Sequence, residues 1–154
     1  VNKVAIESGN VDLVDVEIAS AEETVREIIA CSHRTNVKVV ASNHDFEKTP
    51  EKEEIVLRLR KMQEAGADIL KIAVMPQSEK DVLTLLAATE EMVSNYARQP
   101  VVTMAMSGLG VVSRLAGEVF GSTITFGSAK KVSAPGQIPA KELKKVLELL
   151  HNSL

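Results

Sequence analysis

The stretch Ile69-Leu70-Lys71-Ile72-Ala73-Val74 decides the fold of this 154-residue chain. It is a short apolar run interrupted only by a lysine, which is typical of a strand buried in a parallel sheet. A lysine inside such a strand is costly, because a buried ammonium group loses its hydration. Two interpretations are open: Lys71 reaches water or a carboxylate at the strand end, or its amine is neutral and acts as a nucleophile toward carbonyl groups.

The rest of the chain alternates between strand-like and helix-like segments. Short apolar runs predict further strands over residues 11–18, 37–44, 101–106 and 123–128. Helix signals separate them. They are a helix tail before Gly9, a capping box at Ser20/Glu23, a proline start at Pro50, a helix start at Ser78 with Asp81, a glycine turn before residues 111–120, and a last helix over 139–151. This alternation predicts parallel β/α units with right-handed crossovers.

Two α/β architectures fit this alternation, a doubly wound sheet and part of a (β/α)8 barrel. Polar or sulfur-bearing residues lie toward the carboxyl ends of the predicted strands or just past them: Glu17, His44, Lys71, Met106 with Ser107, and Ser128. Such residues collect at this end of the strands in barrels, although open sheets bind ligands there too. A complete barrel takes about 200 residues or more, so we expect one domain over residues 1–154 with only part of a barrel.

Composition excludes several classes of function. The net charge is −3 and aromatic residues make up 3% of the chain, so no basic surface for nucleic acid is expected. No apolar run approaches the length of a membrane span, and the first residues lack a signal-peptide pattern. Cys31 is the single cysteine, so we expect no internal disulfide, a core thiol and a cytoplasmic location.

Candidate site residues surround Lys71 in this scheme. Ser42 and His44 share one face of the preceding strand by the period of two. An imidazole beside an amine would be a proton shuttle beside a carbonyl nucleophile, although a histidine at a strand end is often structural. Arg114 follows a glycine turn and is either an anion-binding group or part of a surface ion pair. A metal site built from His44, Asp45 and Glu17 is disfavoured, because no second histidine is suitably placed.

Several motifs, in order and over essentially the whole chain, resemble a known family. They are Ser42-Asn43-His44-Asp45-Phe46, residues 71–77 (KIAVMPQ), residues 81–86 (DVLTLL), residues 113–122 (SRLAGEVFGS) and Ser133-Ala134-Pro135-Gly136-Gln137. Together they are similar to type I 3-dehydroquinate dehydratase. The resemblance implies a (β/α)8 barrel, of which this chain covers about five β/α units, and a lyase of the shikimate pathway that serves aromatic amino acid biosynthesis.

The resemblance also implies roles for individual residues. Lys71 would form an imine with the ketone of 3-dehydroquinate, and His44 would remove the adjacent proton and help the hydroxyl leave as water. Arg114 would pair with the substrate carboxylate. The remaining substrate-binding positions are the loop residues Ser133 and Gln137 and the apolar wall residues Met104, Met106 and Phe126. No metal or organic cofactor is implied, and bacterial members of the family are commonly dimers.

The front of the family's barrel has no counterpart in this sequence. Three further β/α units, with substrate-binding acidic and arginine residues, would precede residue 11. We therefore expect the chain to pair with a second copy or with the missing N-terminal portion, and Leu13, Ile124 and Phe126 to meet water without it. Glu17 is expected near the ammonium of Lys71.

Two alternative functions remain open from the sequence. The first is a catalytically incompetent barrel fragment that acts as a folding or assembly unit. The second is another Schiff-base enzyme of the class I aldolase type. The motifs around His44 and Arg114 favour the dehydratase.

Overall fold

Over the residues that the structure describes, the fold is a four-stranded parallel sheet with helices packed on one face. The computed structural model describes residues 1–130 and 136–154. The strands lie in the order β1-β2-β3-β4, with the bounds β1 Leu13–Glu17, β2 Lys38–Asp45, β3 Ile69–Val74 and β4 Val101–Ala105. The predicted parallel β/α arrangement is therefore confirmed for these strands.

Helices connect the strands and close the chain. Their bounds are α1 Asn2–Glu7, α2 Glu22–Arg34, α3 Lys52–Glu64, α4 Glu79–Asn95, α5 Val111–Leu115 and α6 Ala140–His151, with a 3₁₀ turn over Gly117–Phe120. The predicted helix over residues 111–120 is thus divided in two, and the last helix follows Pro139 as predicted.

The period of two along each strand separates a helix-facing side from an opposite side. On the helix-facing side, Leu70, Ile72 and Val74 are fully buried against α3 and α4. The opposite side carries a smaller apolar cluster of Ala73, Val102, Met104 and Met106. Lys71 belongs to this opposite side, which is called the inner face below.

Cys31 lies on the buried side of α2. Its side chain packs with apolar residues of β1 and β2. The predicted core thiol is confirmed, and nothing in its surroundings calls for a reactive group.

The predicted fifth strand over residues 123–128 does not form. The segment makes only isolated bridges, Val101 with Ser122 and Ser128 with Pro139. Two outward backbone N–H groups of β4 are already occupied. Thr103 N–H donates to Ser122 Oγ at 3.0 Å. Farther along, Ala105 N–H donates to Ser113 Oγ at 2.9 Å. Side-chain hydroxyls therefore replace the ladder that a further strand would have made.

The helix start predicted at Ser78 with Asp81 is confirmed and carries a capping box. Ser78 and Asp81 exchange both hydrogen bonds at the start of α4. The Ser20/Glu23 prediction is wrong, because α2 begins at Glu22 without any side-chain cap. Ser20 instead lies in the turn after β1, where its backbone N–H donates to Glu17 O at 3.0 Å.

Asp68 joins the amino-terminal ends of β2 and β3. Its carboxylate accepts hydrogen bonds from Val39 N–H at 2.9 Å, His33 Nε2 at 3.0 Å and Lys38 Nζ at 3.0 Å. Burial alone would raise the pKa of Asp68, but these three donors outweigh burial and lower it. The ionised form is therefore stabilised by folding.

We expect Asp68→Asn to destabilise the fold at neutral pH and to have almost no effect in acid. A carboxyl group whose pKa is lowered on folding stabilises the native state above its unfolded pKa of about 3.9, and this contribution is lost as the pH falls through the lower folded pKa. Loss of the charged acceptor should cost about 1–3 kcal/mol at pH 7. Urea unfolding at pH 7 and at about pH 2 measures both values.

The exposed Asp12 supplies the matched control. Asp12→Asn should leave the free energy of unfolding unchanged within about 0.5 kcal/mol. An equal cost for Asp68→Asn at both pH values would show that the three hydrogen bonds do not depend on the carboxylate charge.

Candidate active site

Lys71 lies on the inner face of β3 in an ion pair. Its side chain is 14% exposed, and its Nζ lies 3.0 Å from Asp15 Oδ2 on β1. The other carboxylate oxygen of Asp15 accepts a hydrogen bond from Ser42 Oγ on the intervening strand β2. The Phe126 ring covers the ammonium on another side, with its centroid 5.5 Å from Nζ. The amine is therefore largely buried itself, between a carboxylate that is 45% exposed and an aromatic residue that is 40% exposed.

The carboxylate beside Lys71 belongs to Asp15 and not to Glu17, which corrects the expectation from strand position. In the strand register Glu17, Ser42 and Lys71 lie in one row across the sheet. The carboxylate of Glu17 turns instead to the end of β2, where it finds donors on Asn43 and His44. Asp15, two residues earlier on the same face, takes the place beside Lys71.

His44 is held by Glu17 through its ring. The distance from His44 Nδ1 to Glu17 Oε2 is 2.7 Å, and Glu17 Oε1 accepts from the His44 backbone N–H at 3.3 Å. An ionised carboxylate can only accept, so Nδ1 carries the hydrogen and Nε2 is the nitrogen available for proton transfer. The ring also stacks on Phe46 at a centroid distance of 5.8 Å.

Adjacent strands bring His44 and Lys71 together. Ser42 is the register partner of Lys71, and His44 is the partner of Ala73. Since residues two apart share a face, His44 and Lys71 are diagonal neighbours on the inner face near the carboxyl ends of their strands. This is the predicted juxtaposition of an imidazole and an amine.

Arg114 is buried, which excludes the alternative of a surface ion pair. Its residue is only 1% exposed, and its Nη1 contacts Met104 Sδ at 3.7 Å. Burial lowers the pKa of the guanidinium below its usual range. Ser113, the residue before it, ties α5 to the end of β4 by accepting from Ala105 N–H. The short helix thus carries the guanidinium to the inner-face cluster that contains Met104.

The predicted wall residues line the same face. Met104 and Met106 are buried in the inner-face cluster. Phe126 is 40% exposed and covers the amine of Lys71. Their placement agrees with pocket walls, and for the two methionines it agrees equally well with simple core packing.

The loop that was predicted to close the site is described only at its end. Ser133 lies outside the described residues. Gly136 has a φ of 77°, and a Cβ there would lie 2.1 Å from the carbonyl oxygen of Ser107. Only glycine fits such a position, so the chain at Gly136 rests on the turn after β4. Gln137, which follows Gly136 and is half-buried, therefore lies near the carboxyl ends of the strands.

The described residues contain neither a metal centre nor a membrane helix. In residues 1–130 and 136–154, no group of three His, Cys, Asp or Glu residues is close enough together to hold a metal ion. None of the helices in those ranges is both long enough and apolar enough to cross a membrane.

Sequence reasoning missed the partner of each central group. Asp15 and Glu17 alternate with the buried Val14 and Val16, which places both carboxylates on the inner face. The alternation predicts two carboxylates near Lys71 and His44. It does not predict which carboxylate pairs with which of these two residues. The sheet and its side chains place this protein in the class of parallel α/β proteins that carry a lysine and a histidine on one face of the sheet.

Comparison with known proteins identifies the family within that class. The family model described as type I 3-dehydroquinase matches residues 1–154. The chain therefore belongs to the type I 3-dehydroquinase family.

Three similar proteins show how much of the family's length is present. The 3-dehydroquinate dehydratase of Clostridioides difficile strain 630 is 61% identical over 153 residues, which is 99% of this chain and 60% of that protein. A crystal structure of the Clostridium difficile type I enzyme, solved with covalently modified comenic acid, superposes with a TM-score of 0.96 at 61% identity and covers 99% of this chain and 60% of that one. The Geobacillus kaustophilus enzyme gives a TM-score of 0.93 at 43% identity, over 97% and 58%. The chain thus spans about 60% of the length of the curated relatives it matches.

Proposed function

We propose that this chain carries the lysine-bearing part of a type I 3-dehydroquinate dehydratase, which converts 3-dehydroquinate to 3-dehydroshikimate in the shikimate pathway. One observation carries the proposal. Lys71, paired with Asp15 at 3.0 Å, lies on the same face and near the same end of the sheet as His44, whose Nδ1 is bound by Glu17 at 2.7 Å. A nucleophilic amine and an oriented imidazole are the two groups that an imine-based dehydration requires.

The proposed reaction begins with the amine of Lys71. It adds to the substrate ketone, and loss of one water gives a protonated imine that withdraws electrons from the neighbouring carbon. Nε2 of His44 removes a proton from that carbon, and the electron pair enters the imine as an enamine. His44 then returns its proton to the departing hydroxyl, which leaves as water while the imine re-forms. Hydrolysis of this imine consumes one water, releases the product and restores the amine.

The surrounding side chains support these steps. Asp15 holds the Lys71 ammonium before substrate arrives, and Glu17 stabilises the imidazolium that forms on His44. Arg114 pairs with the substrate carboxylate, and because it is buried the pairing occurs away from bulk water.

The remaining predicted contacts complete the proposed pocket. Met104, Met106 and Phe126 form its apolar wall, while Ser133 and Gln137 donate or accept hydrogen bonds from the loop after Phe126. The proposal needs no metal and no organic cofactor.

We further propose that residues 1–154 form one domain within a (β/α)8 barrel and supply about five of its units. Support comes from the parallel sheet with helices on one face and from the coverage of 60% of the relatives. The remaining β/α units would be supplied by an N-terminal portion, and two copies would associate as a dimer in the cytoplasm. The open outer edge of β1 favours a second possibility, a unit that is active only after such an assembly.

Borohydride reduction in the presence of 3-dehydroquinate tests the proposed function. An imine on Lys71 would be reduced to a stable amine, so intact mass and peptide mapping should place the substrate mass on Lys71. A parallel assay follows product formation through its new conjugated double bond. Both measurements are repeated after adding the separately produced N-terminal portion of the Clostridioides difficile relative.

Each result has a defined meaning. Adduct and turnover by the chain alone support an active dehydratase, whereas turnover only after mixing supports the assembly unit. A chain that gives neither, alone or mixed, contradicts the proposal. Activity on a phosphorylated aldol substrate in place of 3-dehydroquinate would favour the class I aldolase alternative.

A further inference from the structure

A chain of side-chain hydrogen bonds links α3 to His44 on the other side of the sheet. Arg58 on α3 donates from Nη1 to Asn43 Oδ1 at 2.9 Å. Asn43 Nδ2 in turn donates to Glu17 Oε1 at 3.1 Å. The other oxygen of Glu17 binds His44 Nδ1 at 2.7 Å. The connection therefore runs from a half-buried arginine on the helix side to the imidazole on the inner face.

From this geometry we infer that Arg58 and Asn43 are positioning residues for His44, acting through Glu17 to fix its Nδ1–H tautomer. This inference rests on the proposed function for its catalytic consequence only. The placement of the hydrogen on the ring is a property of the folded chain itself.

The orientation of the Asn43 amide is the first step of the argument. An amide has an acceptor end and a donor end, and either end can be turned toward a neighbour. Arg58 can only donate, so it fixes the oxygen of Asn43 on its own side and leaves the NH₂ for Glu17. Without the guanidinium, the amide is free to rotate and present its oxygen to a carboxylate, which would repel it.

The orientation of Glu17 is the second step. With Asn43 Nδ2 and His44 N–H both donating to Oε1, the carboxylate has only Oε2 to offer the imidazole. A fixed carboxylate acceptor at Nδ1 keeps the hydrogen there and leaves the lone pair on Nε2. A carboxylate that rotates would hold Nδ1 less well and allow the alternative tautomer.

Arg58 also contacts Asp45, the residue that follows His44. Its Nη1 lies 3.5 Å from Asp45 Oδ2, while Asp45 Oδ1 accepts from the backbone N–H of Lys48 at 3.0 Å. Asn43 and Asp45 both point away from the inner face by the period of two, so a single guanidinium holds the two residues that flank the imidazole. Glu54 Oε1, 2.8 Å from Nε, fixes the guanidinium in turn.

The test reads the tautomer directly and needs no turnover. Long-range ¹H–¹⁵N spectra of the uniformly ¹⁵N-labelled chain distinguish Nδ1–H from Nε2–H, and the chain has only three histidines to assign. Spectra are taken at alkaline pH, so that the two neutral tautomers of the ring are compared with each other. We expect the parent chain to show His44 as the Nδ1–H form, and Arg58→Met and Asn43→Ala to raise the share of the Nε2–H form about tenfold, the loss of one charge-assisted hydrogen bond.

Two further variants serve as rescue and control. Arg58→Lys keeps a cationic donor and should restore most of the parent tautomer ratio. Arg60→Met removes an exposed arginine of the same helix, whose guanidinium lies over the Tyr96 ring at 4.8 Å, and should leave the ratio unchanged.

Activity gives the second readout wherever the chain or its assembly turns over. Arg58→Met should lower kcat in proportion to the share of the Nδ1–H form that the spectra show to be lost, with little change in KM, because His44 acts after substrate has bound. A parent-like tautomer ratio in both Arg58→Met and Asn43→Ala overturns the inference. A shifted ratio in a chain that never dehydrates 3-dehydroquinate would uphold the inference while the proposed function fails.

Discussion

Lys71→Ala is expected to abolish both dehydration and the borohydride-trapped adduct. The amine is the group that bonds to the substrate, and Lys71 is the lysine that the structure places on the inner face beside His44. Loss of a covalent nucleophile removes the route itself, so the rate should fall by roughly 10⁴-fold or more. Intact mass after reduction and the rate of product formation measure the two effects separately.

An exposed lysine provides the matched control for this prediction. Lys80 lies on the solvent side of α4, and Lys80→Ala should retain the adduct and the turnover of the parent. A trapped substrate mass in the Lys71→Ala chain would place the nucleophile on another amine and would refute the proposed mechanism at its first step.

The central pair of the site was predictable because local rules decide it. The apolar run around Lys71 and the period of two at Ser42 and His44 require only that neighbouring strands be parallel. The structure confirms that arrangement through the register of β2 and β3. The sequence could not decide which carboxylate pairs with which base, because Asp15 and Glu17 lie on the same face and differ only in height along β1.

The failed strand prediction has a different physical cause. Residues 123–128 have the apolar pattern of a strand, but a strand also needs free partners on its neighbour. Ser113 and Ser122, which belong to other segments, occupy two of the outward N–H groups of β4. Competition of this kind depends on side chains brought together only by the fold, so a local pattern cannot reveal it.

The burial of Arg114 shows a similar limit. A glycine turn followed by an arginine was compatible with an anion site or with a surface ion pair. The choice depends on where α5 packs, and this is set by the hydroxyl of Ser113 at the end of β4. The structure excludes the surface position but leaves the pairing of Arg114 with a substrate carboxylate as a proposal.

The second large effect is expected at the outer edge of β1, where we predict that the 154-residue chain associates with a second copy of itself. Among the strands of the described residues β1 pairs with β2 alone, so its other edge faces away from the sheet. Two of its outward carbonyls are covered, since Asp15 O accepts from Asn2 Nδ2 at 2.8 Å and Glu17 O from Ser20 N–H at 3.0 Å. The outward N–H groups remain as a template for another strand.

The exposure of large apolar side chains also favours association of the chain with a second copy. Leu13, Ile124 and Phe126 are 46%, 39% and 40% exposed, which confirms that these side chains meet water. Fully burying one such side chain contributes about 1.5–3 kcal/mol. Against a net stability of about 5–15 kcal/mol, covering several of them by association is a decisive gain. Sedimentation from about 1 to 100 μM should therefore show a mass that rises with concentration, and hydrogen exchange in β1 should slow in parallel.

Placing a charge on β1 by substitution distinguishes association through this edge from non-specific hydrophobic association. Leu13→Lys places an ammonium on β1 and should shift the association to higher concentration by about tenfold or more, because charged edge residues oppose strand pairing. Leu57→Lys is the matched control, since Leu57 is also 43% exposed but lies on α3 and away from the sheet edge. An equal loss of association in both variants would assign it to general hydrophobic contact. A monomer at every concentration, with the β1 amides strongly protected, would show that the edge is already closed within a single chain.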